Sequence, residues 1–188
     1  MLNVKTLINM KQIILITLIT LTTQLIFAQK MSFYDFKMKT IDGKDYDFAQ
    51  LKGKKVMIVN TASKCGLTPQ YASLEELNKE FGGDKFVILG FPANNFMGQE
   101  PENNATIAEF CQKNYGVSFQ MFEKISVKGA DKAPLFDWLT HKDKNGVADA
   151  KVEWNFHKFL IDENGNWAKS IASTTSPVDE EILKWLGK

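Results

Sequence analysis

The chain has 188 residues, 44% of them hydrophobic and 24% charged, which suits one globular domain with a short extension, and no second full domain is expected. Its 23 basic residues, all lysine, balance 22 acidic ones to a formal charge of +1, and arginine is absent. Without arginine's planar fork or a basic block, nucleic-acid binding finds little support, and tight recognition of an anionic small molecule is disfavoured.

In chain order, Lys5 and Lys11 precede the apolar run of residues 13–28, which ends at Ala28 before a polar stretch. This is the layout of a secretory signal, so cleavage after Ala28, export to the periplasm or exterior, and a domain over 29–188 are expected. An uncleaved membrane anchor is the alternative, although about 16 residues fall short of the roughly 20 that span a bilayer. Residues 33–48 alternate around Asp42-Gly43, a two-residue hairpin turn. The unbroken apolar run from Val56 to Val59 reads as a strand covered on both faces. After a loop holding Cys65, Thr68 is placed as N-cap and Pro69 at the first helical position of a helix reaching Phe81.

Residues 85–92 repeat the buried-strand pattern, and an Asn/Gly/Pro-rich loop leads to a second helix over 104–115. Ile107, Phe110, Cys111 and Tyr115 mark its apolar face. A short helix is expected within 133–141, with Leu135, Trp138 and Leu139 on one side. A hairpin turns at Asn164-Gly165, and a last helix starts near Ser176, Pro177 and Asp179. Strand, helix, strand and helix followed by hairpin and helix give the thioredoxin-like α/β plan: a mixed central sheet with helices on both faces, preceded by an N-terminal β-hairpin. Chemistry in such a sheet belongs beyond the C-terminal ends of its parallel strands, where Cys65 lies.

Position alone leaves Cys65 open between a reactive thiol, favoured by the helix N-terminus and by Lys64, and an inert buried one. In an exported protein Cys65 and Cys111 could also form a structural disulfide. The residue three after Cys65 is Thr68, so the C-x-x-C of a disulfide reductase is missing, and a peroxiredoxin's proline is absent from the stretch before the cysteine. Two cysteines with His141 and His157 show no zinc-site spacing; no metal and no cofactor are expected, and both histidines are placed at the surface.

Four segments in order, "NTASKCGLTPQY", "LGFPANNFMGQEP", "FCQKNYGVSFQMF" and "WNFHKFLID", resemble the glutathione peroxidase family in its cysteine-containing form. The resemblance runs over residues 33–187 and implies a thiol peroxidase acting on hydrogen peroxide and organic hydroperoxides. By position it makes Cys65 the peroxidatic residue and Gln99, Trp154 and Asn155 its polar partners. Their amide and indole N–H groups are suited to donate to the sulfur and to the oxygen on which charge develops.

Cys111 matches the resolving cysteine of the two-cysteine, thioredoxin-dependent members, which implies a thioredoxin-like reductant in preference to glutathione. Its helical spacing equally suits a residue that only packs. If it resolves, the helix over 104–115 has to loosen first, because a disulfide needs Cα atoms within about 7 Å. Ala93, Asn95 and Gln120 depart from the family's Cys, Gln and Pro, and the stretch between Trp138 and Trp154 lacks the long insertion of tetrameric relatives, so a monomer is expected. A thiol redox sensor or relay that passes oxidation to a partner protein is the alternative function.

Overall fold

A computed structural model of the chain describes residues 31–188. The signal segment and its cleavage point therefore lie outside the described residues, and no helix among those described is long and apolar enough to cross a membrane.

The hairpin forms as β1 (Lys37–Lys39) and β2 (Asp45–Asp47), antiparallel and flanked by single 3₁₀ turns at Phe33–Asp35 and Phe48–Leu51. β3 (Lys55–Thr61) and β4 (Phe86–Pro92) are the central strands, paired in parallel from Lys55↔Phe86 to Thr61↔Pro92. Helix α1 (Gln70–Phe81) connects them as the crossover. After α2 (Asn104–Tyr115), a two-residue strand β5 (Gln120–Met121) adds to β4 in parallel. Two residues give no readable periodicity, and sequence reasoning passed over this strand.

The short helices α3 (Pro134–Thr140) and α4 (Lys142–Asn145) precede β6 (Lys158–Ile161), which runs antiparallel to β3. β7 (Trp167–Ile171) and α5 (Glu180–Leu186) complete the chain. The sheet order is β5-β4-β3-β6-β7, with the hairpin as a separate two-stranded sheet.

Alternate residues of β3 divide the interior. Val56 and Ile58 join Leu89, Phe91, Phe159 and the α3 side chains on one face, whereas Met57 and Val59 meet Leu74 and Leu77 of α1, Ile107 of α2 and Ile182 of α5 on the other. Helix α2 ends where expected. Asn103 caps its start through a bond from Thr106 N–H, and Gly116 takes the left-handed conformation (φ 63°) that lets its N–H close on Gln112 and Cys111.

Two sequence expectations are corrected. Thr68 is not the N-cap of α1: the helix starts at Gln70 after a run of i→i+3 bonds, and Pro69 at the cap makes no side-chain bond. The Thr68 hydroxyl is committed elsewhere, accepting from Cys65 N–H at 3.0 Å and donating to the Ala62 carbonyl at 2.9 Å. His157 is not at the surface but 5% exposed, with Nε2 2.7 Å from Ser170 Oγ. Being next to the sheet-forming β6, its side chain is taken inside with its neighbours. His141 is half-exposed against Asp137 on α3.

Candidate active site

β3 delivers the chain to residues 62–69, a tight turn between the strand's C-terminal end and α1. Thr68 ties the turn across itself, and Lys64 N–H donates to the Gln99 carbonyl at 3.0 Å, fixing the turn to the loop after β4. Cys65 is 8% exposed, and its sulfur accepts from Leu67 N–H at 3.4 Å. The Lys64 ammonium pairs with Glu102 at 2.8 Å in a largely exposed ion pair, so its charge is shared with a carboxylate.

The second loop, 93–100, passes through Met97 (φ 53°) and Gly98 (φ 64°) before reaching Gln99. Asn94 Oδ1 accepts the Glu100 N–H at 2.9 Å and closes this loop on itself. The third component is the segment 154–156 before β6. Asn60, fully buried near the end of β3, holds it: its Nδ2 donates to the Trp154 carbonyl at 3.2 Å and its Oδ1 accepts from His157 N–H at 3.0 Å. Phe156 N–H donates to the Asn60 carbonyl, and Phe156 takes a φ of 65°, unusual for a bulky residue and held by these bonds.

The two loops meet where Asn155 Nδ2 donates to Gln99 Oε1 at 2.8 Å. Among the described residues, that bond leaves the Gln99 amide nitrogen as a donor without a partner, and the Trp154 indole N–H likewise has none. The Trp154 ring lies 5.4 Å from the Phe96 ring and touches the helix-side core to which Cys65 belongs. Gln99, Asn155 and the turn of Cys65 are thus joined by two hydrogen bonds, and Trp154 is held beside them through Asn60.

Cys111 is 2% exposed on the inner side of α2, in the same core as Cys65, and both thiols are free. Burial pushes its thiol up to about 11, with the neighbouring Tyr71 hydroxyl pulling the other way and Glu100 adding to the rise. Sequence reasoning missed the polar groups behind the turn. Glu100 is fully buried, accepts from Ser63 Oγ at 2.5 Å, and has its carboxyl raised by burial against the pull of that bond. Its other oxygen, Thr61 Oγ1 and Tyr71 OH lack a well-formed hydrogen bond. Lys158 was also missed, although a lysine in the apolar run "FHKFLI" was a visible signal.

A thioredoxin-type sheet that delivers a cysteine turn without a second cysteine three residues on, and sets an amide pair from two distant loops against that turn, defines a thiol oxidoreductase of another kind than the C-x-x-C exchangers. Comparison with known proteins gives the family. The glutathione peroxidase family model matches residues 33–140. The glutathione peroxidase homolog BsaA of Halalkalibacterium halodurans is 47% identical, covering 81% of this chain and all of the relative.

Glutathione peroxidase-like peroxiredoxin 2 of Saccharomyces cerevisiae is 46% identical, over 84% of this chain and 98% of its own. Among solved structures, Trgpx in apo form superposes with a TM-score of 0.63 at 38% identity, over 84% of this chain and 97% of that one. A thiol:disulfide interchange protein from Chlorobium tepidum, at 22% identity and a TM-score of 0.61, shares the fold. The chain belongs to the glutathione peroxidase family and is a peroxidase of its cysteine-containing form.

Proposed function

We propose that Cys65 is the peroxidatic residue, that Gln99, Trp154 and Asn155 are its hydrogen-bonding partners, and that Cys111 resolves the oxidised thiol. The Cys65 thiolate attacks one peroxide oxygen; an S–O bond forms, the O–O bond breaks, and the departing alkoxide or hydroxide takes a proton to leave as alcohol or water. Gln99 and Trp154 have N–H groups left over to stabilise the charge on that oxygen, and Asn155 orients Gln99. The cysteine is left as a sulfenic acid.

Cys111 then attacks the Cys65 sulfur, forming the S–S bond and releasing the sulfenic oxygen as water with the Cys111 proton. Since Cys111 faces the core of α2, this step follows loosening of that helix. A thioredoxin-like dithiol returns both cysteines to thiols, in keeping with a relative named a glutathione peroxidase-like peroxiredoxin. We place the enzyme outside the cytoplasm, as a monomer that answers oxidative stress, on the strength of the basic and apolar residues 1–28 and the short stretch between Trp138 and Trp154.

The observation that carries this reading is the Asn155–Gln99 bond beside the Cys65 turn, since these three residues lie far apart in the chain. The test is a hydrogen peroxide assay with thioredoxin and glutathione systems in parallel. Cys65→Ser abolishes turnover in both, and Cys111→Ser abolishes it only with thioredoxin. Turnover by Cys65→Ser overturns the peroxidatic assignment; full thioredoxin-dependent turnover by Cys111→Ser overturns the resolving one.

A further inference from the structure

Lys158 is the first residue of β6, paired with Val59 of β3 and Ile171 of β7, and it is fully buried on the face covered by α1. Its ammonium has three donors and uses all three: Gln70 Oε1 at 2.6 Å, the Thr175 carbonyl at 2.5 Å and the Ser173 carbonyl at 3.4 Å. Gln70 completes the ring by donating from Nε2 to the Ser173 carbonyl at 2.7 Å. A buried lysine normally brings a carboxylate with it, yet no acidic group pairs with this one among the described residues. Every acceptor belongs either to the first residue of α1 or to the segment after β7.

Gln70 is five residues from Cys65, and the interval is closed by consecutive short-range bonds, Thr68 N–H to the Cys65 carbonyl at 3.0 Å and Gln70 N–H to the Leu67 carbonyl at 2.9 Å. Anchoring Gln70 therefore anchors the turn that carries the reactive cysteine. We propose that Lys158 is a positioning residue for Cys65: its ammonium ties the start of α1 to the 173–175 segment and so holds the Cys65 turn in register with Gln99 and Asn155. This rests on the assignment of Cys65 as the peroxidatic residue.

The choice of an ammonium follows from the count of acceptors. An apolar side chain leaves Gln70 Oε1 and the Thr175 carbonyl unpaired and the Ser173 carbonyl with Gln70 as its one donor, and a neutral amine has two hydrogens for the three contacts the ammonium makes. The charged groups facing Lys158 are few. His157, just before β6, is kept neutral by burial and by the lysine's own charge, α1 presents the uncharged Gln70, and the 173–175 segment presents backbone and hydroxyls. Burial pushes the Lys158 ammonium down to about 7, so its proton is lost within an accessible range.

Stability and positioning then move in opposite directions with pH. Free lysine titrates near 10.4, so between about 7 and that value the unfolded chain holds the extra proton and stability from this group rises with pH. Over the first part of that range the third hydrogen bond is lost. A residue that only supported the fold would not make the protein more heat-resistant while its site loosened.

The test compares the full chain with Lys158→Met and Gln70→Glu, measuring the second-order rate of Cys65 oxidation by hydrogen peroxide between pH 6 and 9. Dividing the native rate by the Lys158→Met rate cancels the ionisation of Cys65. This ratio is expected to be about tenfold at pH 6 and to fall toward pH 9 while staying above one, because the neutral amine keeps two of its three bonds and Met keeps none. Amide exchange over residues 65–71, corrected for its intrinsic pH dependence, is expected to speed up above about pH 7 in the native chain. In Gln70→Glu, whose carboxylate holds the ammonium charged, that acceleration moves up by about one pH unit.

A ratio within twofold at pH 6, or one flat from pH 6 to 9, overturns the proposal. If Lys158→Met does not fold, the exchange profile decides, and an unmoved profile in Gln70→Glu overturns it as well. A native chain that leaves peroxide untouched refutes the peroxidatic reading instead, while the exchange measurement still tests the anchor.

Discussion

Removing the Asn60 side chain tests how the strand end builds the site. Asn60→Ala deletes the donor to the Trp154 carbonyl and the acceptor of His157 N–H, leaving both backbone groups without those partners. Two lost bonds at about 1 kcal/mol each, with an added penalty for burying unpaired groups, give a destabilisation of about 3 kcal/mol. For a domain of this size that lowers the melting temperature by about 9 °C.

Freed of its restraint, Phe156 also has an incentive of about 1 to 3 kcal/mol to leave its left-handed conformation. Asn155 moves with it. The bond to Gln99 is then weakened, and the rate of Cys65 oxidation is expected to fall at least tenfold, read by stopped-flow fluorescence beside a urea titration. Thr61→Val is the control, because the neighbouring Thr61 hydroxyl is buried without a well-formed bond and its removal is expected to cost under about 1 kcal/mol. An Asn60→Ala loss no larger than that of Thr61→Val, with an unchanged oxidation rate, refutes the reasoning.

Three further outcomes are expected. Burial holds the His157 imidazole down to about 4, so the folded chain binds its proton less readily than the unfolded one, and stability present above about pH 6.5 is lost as pH falls toward 4. That loss is about 3 kcal/mol in urea titrations at the two pH values, and it is largely absent in His157→Gln. Gly165→Ala is expected to cost about 1 to 3 kcal/mol by thermal melt, since Gly165 has φ +79° and an added Cβ would lie 2.7 Å from the Tyr34 ring. Tyr71→Phe is expected to leave stability within about 1 kcal/mol of native, because its buried hydroxyl has no well-formed partner; a larger loss in urea shows that the hydroxyl is bonded.

The strands and helices that were legible in the sequence are those with enough residues to show a period. β3, β4, α1 and α2 appear within a residue or two of their expected bounds, and Asn164-Gly165 marks its hairpin. β5 is two residues long, and its strand character comes from pairing with β4, which no local pattern announces. Thr68 was misread because its capping chemistry serves the Cys65 turn equally well. His157 was misread and Lys158 passed over for a different reason. A polar residue in an apolar strand usually turns outward, and only the hydrogen-bond partners Ser170, Gln70, Ser173 and Thr175, brought from other elements, make their burial affordable. Cys65, Gln99, Trp154 and Asn155 are proposed through the resemblance, while the bond between Gln99 and Asn155 needed the fold.

The burial of both sulfurs bears on economy of reductant. Cys65 is 8% exposed and Cys111 2%, so neither sulfur is presented where a protein dithiol could meet it. In the reduced fold a thioredoxin-like partner finds no sulfur to engage. On the proposed mechanism, a surface that the partner can use arises only after oxidation, when α2 opens to bring Cys111 forward. On that mechanism idle molecules do not compete with spent ones, and electrons flow to the chain in proportion to the peroxide it has already removed.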